Sequence, residues 1–215
     1  ESRWLITEAL LTKLKNSTTA PRIWINASAI GFYGAQGSEP IDESFIPSHH
    51  DFPNRVCAHW EELAQQASSF NCRVCIIRIG LVLGTQGGAL AKMLPAYWLG
   101  LGGPLGSGKQ MVSWITRTDL VYVIRFLLEN AQCSGVYNAT TPHVISNAEF
   151  SAALAKALHR PHFLHTPAWA LKLLLGEMAD LLLNGQNVQP TRLLEAGFQF
   201  RYPTLPEALH HVLED

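Results

Sequence analysis

A serine and a tyrosine that follow the first strand-like segment are the residues best placed to do chemistry. They lie in Asn26-Ala-Ser28-Ala-Ile-Gly-Phe-Tyr33-Gly34, directly after the strand pattern of residues 22–27. In an α/β fold a hydroxyl at a strand end lies at the carboxyl edge of the sheet, where such folds bind ligands. Polar atoms there can polarise a carbonyl or a hydroxyl. A strand-end turn in which Ser28 bonds the backbone explains these residues equally well.

A glycine-rich segment, Gly103-Pro-Leu-Gly-Ser-Gly108-Lys109, has the G-x-x-x-x-G-K spacing of a phosphate-binding loop. That loop needs Ser or Thr next to hold magnesium, with a strand before it and a helix after it. Here Gln110 follows and a helix pattern precedes, so the sequence argues against an ATPase. The glycines would let backbone amides approach a phosphate, and a plain flexible loop fits them equally well.

The cysteines and histidines predict no metal site. Cys72 and Cys75 form a C-x-x-C within a strand pattern, where positions i and i+3 point to opposite faces, and no second pair completes a zinc site. We interpret them as buried apolar residues. The nine histidines do not cluster. With only four cysteines and no visible secretion signal, we expect a reducing cytoplasm.

The order of apolar patterns predicts the scaffold for these residues. Helical stripes occupy 3–16 and 54–69, and residues 73–83 form a nearly continuous apolar run. Such a run is typical of a strand buried on both faces of a parallel sheet. The order helix, strand, helix, strand therefore predicts a doubly wound α/β fold. Later patterns predict helices at 89–99, 119–129 (capped by Thr118) and 147–158 (with the capping box Ser146-x-x-Glu149), and strands at 111–115 and 135–140.

The composition excludes several classes of protein. The 215 residues are 47% apolar and 15% charged, which rules out disorder because so much apolar surface must be buried. The net charge of −1 argues against a nucleic-acid or anionic-membrane binder. The longest apolar stretch, 167–183, carries Lys172, Glu177 and Asp180, so it does not predict a membrane span.

Short motifs occur in a fixed order along the whole chain. They are Asn26 to Gly34 as above, Val56-Cys-Ala-His-Trp-Glu61, Arg78-Ile-Gly-Leu-Val-Leu-Gly84, Gly87-Gly-Ala-Leu, Gly100 to Gln110, Ser113-Trp-Ile, Asp119-Leu-Val, Leu175-Gly-Glu177, Gly185-Gln-Asn-Val and Glu195-Ala-Gly-Phe198. Together they resemble the extended short-chain dehydrogenase/reductase superfamily, most closely its atypical epimerase-like branch, often described as nucleoside-diphosphate-sugar epimerases. The last three lie in a C-terminal segment that looks characteristic of this branch.

The resemblance implies an NAD(P)-dependent epimerase or oxidoreductase acting on a nucleotide sugar or similar polar metabolite. It assigns 1–83 and 118–145 to a Rossmann domain, and 84–117 and 146–215 to a smaller, mainly helical substrate lobe. The site residues that it implies are Ser28, Tyr33 and Cys57 for catalysis, Ala27, Ser28, Arg78, Gly80 and Leu81 for the cofactor, and Gly87, Gly88, Gln110 and Trp114 for the substrate.

The catalytic helix departs from the superfamily pattern. There, Tyr-x-x-x-Lys supplies a general acid/base, whereas this helix has Val56-Cys-Ala-His-Trp60, or Cys57-Ala-His-Trp-Glu61 one residue on. Neither register supplies a Tyr or a Lys. Cys57 or Tyr33 is the candidate replacement, and aligning Phe32 instead of Tyr33 restores the usual spacing after Ser28. The departure also admits a second function, an NADP-binding sensor that has lost catalysis.

The chain contains no G-x-G-x-x-G dinucleotide fingerprint, which belongs on the first strand–helix turn. We therefore expect the 215 residues to be part of a longer parent, lacking roughly 60–80 residues. We expect the parent to bind NADP or NAD, and this part to be inactive and to bind either at millimolar concentration or more weakly. Helices 3–16 and 54–69 resemble helices that pair between subunits in the superfamily, which implies a homodimer.

Overall fold

The computed structural model describes residues 2–17, 20–48 and 51–214 and consists of a parallel sheet with helices on both faces. Its helices are α1 (Ser2–Lys15), α2 (Phe52–Gln65), α3 (Gly88–Trp98), α4 (Arg117–Glu129), α5 (Asn147–Ala157), α6 (Ala168–Leu175), α7 (Asp180–Leu183), α8 (Thr191–Glu195) and α9 (Leu205–Glu214). Its strands are β1 (Ile23–Ala29), β2 (Pro40–Ile41), β3 (Arg73–Ile79), β4 (Leu81–Leu83), β5 (Met111–Val112), β6 (Trp114–Thr116), β7 (Gly135–Ala139), β8 (Ile145–Ser146) and β9 (Asn187–Val188).

The central sheet has the strand order β1-β3-β7, and both pairings are parallel. Its middle strand is covered on both faces, as its continuous apolar sequence predicts. Cys75 and Ile77 join a buried cluster with residues of α4, whereas Val74 and Ile76 join a second one with Leu11 of α1. The predicted α/β fold, a parallel sheet between helices, is confirmed.

The apolar run 73–83 was expected to be one strand, and this expectation is wrong. It divides at Gly80 into β3, which pairs with β1 and β7, and β4, which pairs with β6. A Cβ atom on Gly80 would lie 2.5 Å from the carbonyl oxygen of Ser113 and 2.9 Å from Cγ2 of Thr140. Only glycine admits this close approach of two backbones, and the approach lets the chain leave one sheet for the other.

A third buried cluster lies beside the sheet and joins residues that are distant in sequence. It includes Leu83, Trp114, Phe150 and Leu209, and so it brings together β4, β6, α5 and α9. The capping box at Ser146 is confirmed. The predicted cap of α4 is wrong, because Thr116 rather than Thr118 accepts the amide of Asp119.

Residues 185–189 form a strap that connects the C-terminal region to the sheet. Its β9 segment pairs with β2. Gln186 Nε2 donates to the carbonyl of Ile30 at 2.8 Å, and Thr140 Oγ1 donates to the carbonyl of Val188 at 2.9 Å. The strap therefore fixes the turn that follows β1 and the end of β7. Within the described ranges, no helix has both the length and the apolar character needed to cross a bilayer.

Candidate active site

Three polar residues stand in one row across the central sheet. The register places Ser28 of β1 beside Arg78 of β3, and Arg78 beside Asn138 of β7. Register partners in a parallel sheet point to the same face, here the face covered by α2. All three side chains are buried. Because they stand at the carboxyl ends of adjacent parallel strands, they mark the edge where α/β sheets bind ligands.

Glu61 of α2 lies above this row and joins two of its members. Ser28 Oγ donates to Glu61 Oε1 at 2.6 Å, and Arg78 donates to the same carboxylate through Nε at 2.9 Å and Nη2 at 2.7 Å. The guanidinium and the carboxylate thus form a bidentate pair, the strong geometry for buried charges. Burial opposes the Arg78 charge, but the Glu61 carboxylate and the Tyr33 hydroxyl together outweigh that effect and raise the pKa of Arg78.

Tyr33 completes the polar network from the other end of the row. The short 3-10 turn Ile30–Tyr33 brings the phenol under the sheet edge, where it is fully buried. Its hydroxyl donates to Asn138 Oδ1 at 2.8 Å and accepts from Arg78 Nη1 at 3.0 Å. Burial raises the pKa of Tyr33. The structure therefore places Tyr33 in the network as a neutral, internally bonded phenol.

Cys57 lies one helical turn before Glu61, on the same face of α2. The Ser28 side chain and the Ala29 backbone lower the pKa of its thiol. Burial is the largest influence and outweighs them, so the pKa of this thiol is raised, and the nearby Glu61 carboxylate adds to the increase. Cys57 thus lies near Ser28 and Glu61 at the sheet edge, and its burial favours the protonated thiol.

Comparisons with known proteins find relatives that are similar over nearly the whole of this chain. The chain is 41% identical over 215 residues to the epimerase family protein SDR39U1 homolog, chloroplastic, of Arabidopsis thaliana, covering 99% of this chain and 61% of that protein. It superimposes with a TM-score of 0.93 on the crystal structure of human epimerase family protein SDR39U1 (isoform 2) with NADPH, at 32% identity and covering 100% of this chain and 72% of that one.

The chain belongs to the SDR39U1 epimerase family. A nucleoside-diphosphate sugar epimerase from Corynebacterium glutamicum is also similar, with a TM-score of 0.79 and 33% identity, covering 99% of this chain and 41% of that one. Residues 166–212 match a family described as a domain of unknown function, DUF1731. The chain thus spans about three fifths of the Arabidopsis family member.

In this SDR39U1-family chain, the structure distinguishes between the two registers of the catalytic helix. Cys57 and Glu61 face Ser28 and Arg78, whereas the Trp60 indole donates to Thr7 Oγ1 of α1 at 3.0 Å. The side chains of the second register, Cys57 and Glu61, therefore lie near Ser28, and those of the first register do not take part in this network. The sequence motifs identified Cys57 but not Glu61. The available signal was a glutamate four residues after Cys57, on the buried face of an amphipathic helix.

The residues that the family resemblance implies for cofactor binding differ in their exposure and in how far their polar groups are already bonded. Ala27 is exposed at the edge of β1 and Leu81 is half-buried. The amides of Gly80 and Leu81 already donate to the carbonyls of Ala139 and Ser113, at 3.1 and 2.8 Å. Arg78 is fully engaged by Glu61 and Tyr33. The Gly80 and Leu81 amides are therefore engaged and do not offer donors to a pyrophosphate, and contact with the cofactor stays a prediction for these residues.

The implied substrate contacts do not meet at one point. Gly87 and Gly88 are exposed at the start of α3. The Gln110 amide donates to the carbonyls of Leu105 and Leu182, at 3.0 and 2.9 Å. Trp114 is fully buried, and its Nε1 has no hydrogen-bond partner within the described part of the chain. The Gln110 amide is thus engaged within the protein and Trp114 lies in the core, and substrate contact stays a prediction for all four residues.

The glycine-rich segment packs tightly and does not form an open cradle. A Cβ on Gly103 would overlap the backbone of Leu164, and one on Gly108 would lie 3.2 Å from Cβ of Ala148. These glycines allow the loop to pack against α5 and against the segment between α5 and α6. Among the described residues, no group of three or more His, Cys, Asp or Glu side chains is placed to hold a metal ion.

Proposed function

We propose that the protein is a nicotinamide-dependent epimerase or oxidoreductase acting on a nucleotide sugar or a similar polar metabolite. The observation that carries the proposal is the row Ser28, Arg78 and Asn138 at the carboxyl ends of three parallel strands. The similarity to the human relative crystallised with NADPH supports the cofactor class. The similarity to a nucleoside-diphosphate sugar epimerase supports the substrate class.

In this proposal Ser28 and Cys57 contact the reacting oxygen of the substrate. Cys57 holds a proton on Sγ, and Ser28 orients the oxygen beside it. Ala27 and Leu81 contact the nicotinamide end, because they offer apolar surface at the sheet edge. When bound, the cofactor supplies or accepts a hydride.

The test is titration of the whole protein with NADPH and NADH, followed by nicotinamide fluorescence. We expect saturable binding of at least one cofactor, and binding of neither would contradict the proposal. For the 215 residues by themselves we expect a dissociation constant in the millimolar range or weaker, because the sequence lacks the G-x-G-x-x-G turn and the helix N-terminus that hold a pyrophosphate. A micromolar constant for those residues would contradict this second expectation.

An NADP-binding sensor without turnover is the second candidate. It is favoured by the hydrogen bonds that the site residues already make within the protein. Ser28 and Arg78 both donate to Glu61, and Arg78 also donates to Tyr33. Turnover of a sugar nucleotide that disappears in Ser28→Ala would exclude the sensor. Cofactor binding without turnover of any sugar nucleotide would favour it.

A further inference from the structure

The loop that follows α3 and the segment between α5 and α6 lie side by side on the surface. The Gly106 amide donates to the carbonyl of Thr166 at 2.9 Å, and the Thr166 amide donates to the carbonyl of Pro104 at 3.0 Å. The end of α3, these two segments and α6 carry large apolar side chains that are each more than half exposed, namely Trp98, Leu99, Leu101, Phe163, Trp169 and Leu173. We call these six residues the apolar patch.

The apolar patch is more than a scatter of single exposed residues. A Cβ on Gly100 would lie 3.3 Å from Cγ of Pro161, so the turn that carries Leu99 lies against the segment that carries Phe163. On α6, Trp169 and Leu173 are four residues apart and share one face of the helix. Exposed apolar side chains grouped in this way mark a surface that binds a partner.

The charged residues of the same segments are all basic. Residues 88–110 and 150–176 contain no Asp or Glu, although the chain has 17 of them. Their cations, all exposed, are Lys92, Lys109, Lys156, Arg160 and Lys172. Lys172 pairs with Asp180 of α7 at 3.5 Å. The net charge of −1 therefore averages a basic surface around the apolar patch with an acidic remainder.

An anionic lipid bilayer matches both properties of this surface. Trp, Phe and Leu side chains enter the boundary between headgroups and acyl chains, and Lys and Arg attract anionic headgroups. A second copy of the chain docked through the same face would bring like charges together, which opposes that contact. Surface binding needs no spanning helix, and none occurs within the described ranges.

We propose that the apolar patch is a membrane-docking surface, in which Phe163 and Trp169 enter the headgroup region of an anionic bilayer while Lys156 and Arg160 bind its headgroups. Arg160 directly precedes Pro161 at the edge of the apolar patch, and its amide donates to the carbonyl of Ala155 at 2.9 Å. This bond holds Arg160 at the end of α5, beside Lys156. None of these residues belongs to the row of Ser28, Arg78 and Asn138, so the inference is independent of the proposed function.

The test is co-sedimentation of the whole protein with lipid vesicles. One set contains phosphatidylglycerol and phosphatidylcholine in roughly equal parts, and the other contains phosphatidylcholine alone. We expect binding to the anionic vesicles that weakens as salt is added, and binding to the neutral vesicles that is roughly tenfold weaker or less. Equal binding to both sets, or binding to neither, overturns the proposal.

A first double variant tests the apolar contribution. Phe163→Ser with Trp169→Ser removes two side chains that are 76% and 70% exposed, so the fold does not depend on them. We expect binding to anionic vesicles to fall roughly tenfold or more, because less apolar surface enters the headgroup region. Phe52→Ser is the matched control, since Phe52 lies on α2 and is 71% exposed, and it should bind like the natural chain.

A second double variant tests the charges. Lys156→Gln with Arg160→Gln should weaken binding to anionic vesicles by about fivefold for each charge removed. Lys13→Gln, at an exposed position of α1, is the matched control and should change nothing. Unchanged binding in either double variant, or an equal loss in its control, overturns the proposal.

Self-association is the remaining outcome. If the protein binds no vesicles and light scattering shows an oligomer that Phe163→Ser with Trp169→Ser abolishes, the apolar patch is a contact between copies and the proposal is wrong.

Discussion

At the scale of single residues, the register Cys57-Ala-His-Trp-Glu61 carries a carboxylate where the superfamily motif has a lysine, which reverses the charge at that position. A lysine near a phenol favours the deprotonated acid/base, whereas Glu61 beside Cys57 favours the protonated one. The bidentate pair with Arg78 makes this arrangement stable, because an unpaired carboxylate buried under α2 would cost several kcal/mol. The reversal is local, since the Ser28 position and the parallel sheet around it are kept.

Gly80 provides a prediction about stability at a single residue. In Gly80→Ala the new methyl group would meet the Ser113 carbonyl oxygen, which is backbone and cannot swing away. We expect the free energy of unfolding to fall by about 1–3 kcal/mol, measured by urea denaturation. Gly84→Ala is the matched control, because a Cβ there meets nothing within 4 Å. Equal stability of the two variants would show that β3 and β4 tolerate a wider separation.

At the scale of elements, the sequence predicted what depends on local patterns. The order of helices and strands and the capping box at Ser146 follow from periodicity and short-range hydrogen bonds. The break at Gly80 could not be predicted, because its cause is the backbone of Ser113, which is distant in sequence. The ion pair of Glu61 and Arg78 was missed for the same reason, since its partners lie on a helix and on a strand.

Glu43 links three elements and gives a prediction about pH. Its carboxylate accepts the amide of Asn138 on β7 at 2.9 Å and that of Arg192 on α8 at 3.3 Å. Burial raises the pKa of Glu43 in the folded protein. The stability that its proton contributes is therefore fully present below the unfolded pKa, and it is lost as pH rises through the folded pKa.

Glu43→Gln removes this titration. We expect the free energy of unfolding of the natural chain, relative to the variant, to decrease between about pH 4 and pH 7. Urea unfolding at both pH values measures it. Glu39→Gln, a change at an exposed neighbour, is the control. Its difference from the natural chain in free energy of unfolding should be the same at both pH values. If the stability of the natural chain relative to Glu43→Gln instead increases with pH, the amides of Asn138 and Arg192 lower the pKa of Glu43 more than burial raises it.

At the scale of the whole molecule, the C-terminal region and the sheet form one connected body. The strap of residues 185–189 bonds to the turn after β1 and to the end of β7. Arg192 in α8 donates to the carbonyls of Val136 and Ser134, along the outer edge of β7. The segment that matches DUF1731 therefore covers the edge of the sheet at β7 and holds the turn after β1 in place.

The prediction of a homodimer concerns the exposed face of helix α1. Helix α1 packs on α2 through the Trp60 hydrogen bond to Thr7, yet Leu5 and Leu10 on α1 remain 63% and 47% exposed. Apolar side chains grouped on an exposed helix face are typical of an interface.

We expect a dimer by static light scattering at high concentration, and a monomer for the double variant Leu5→Glu with Leu10→Glu. Leu128→Glu, on the exposed side of α4, places the same charge on a comparably exposed leucine away from this face, so it should leave the dimer intact. A natural chain that is monomeric, or loss of the dimer in the control, would remove this face as the interface.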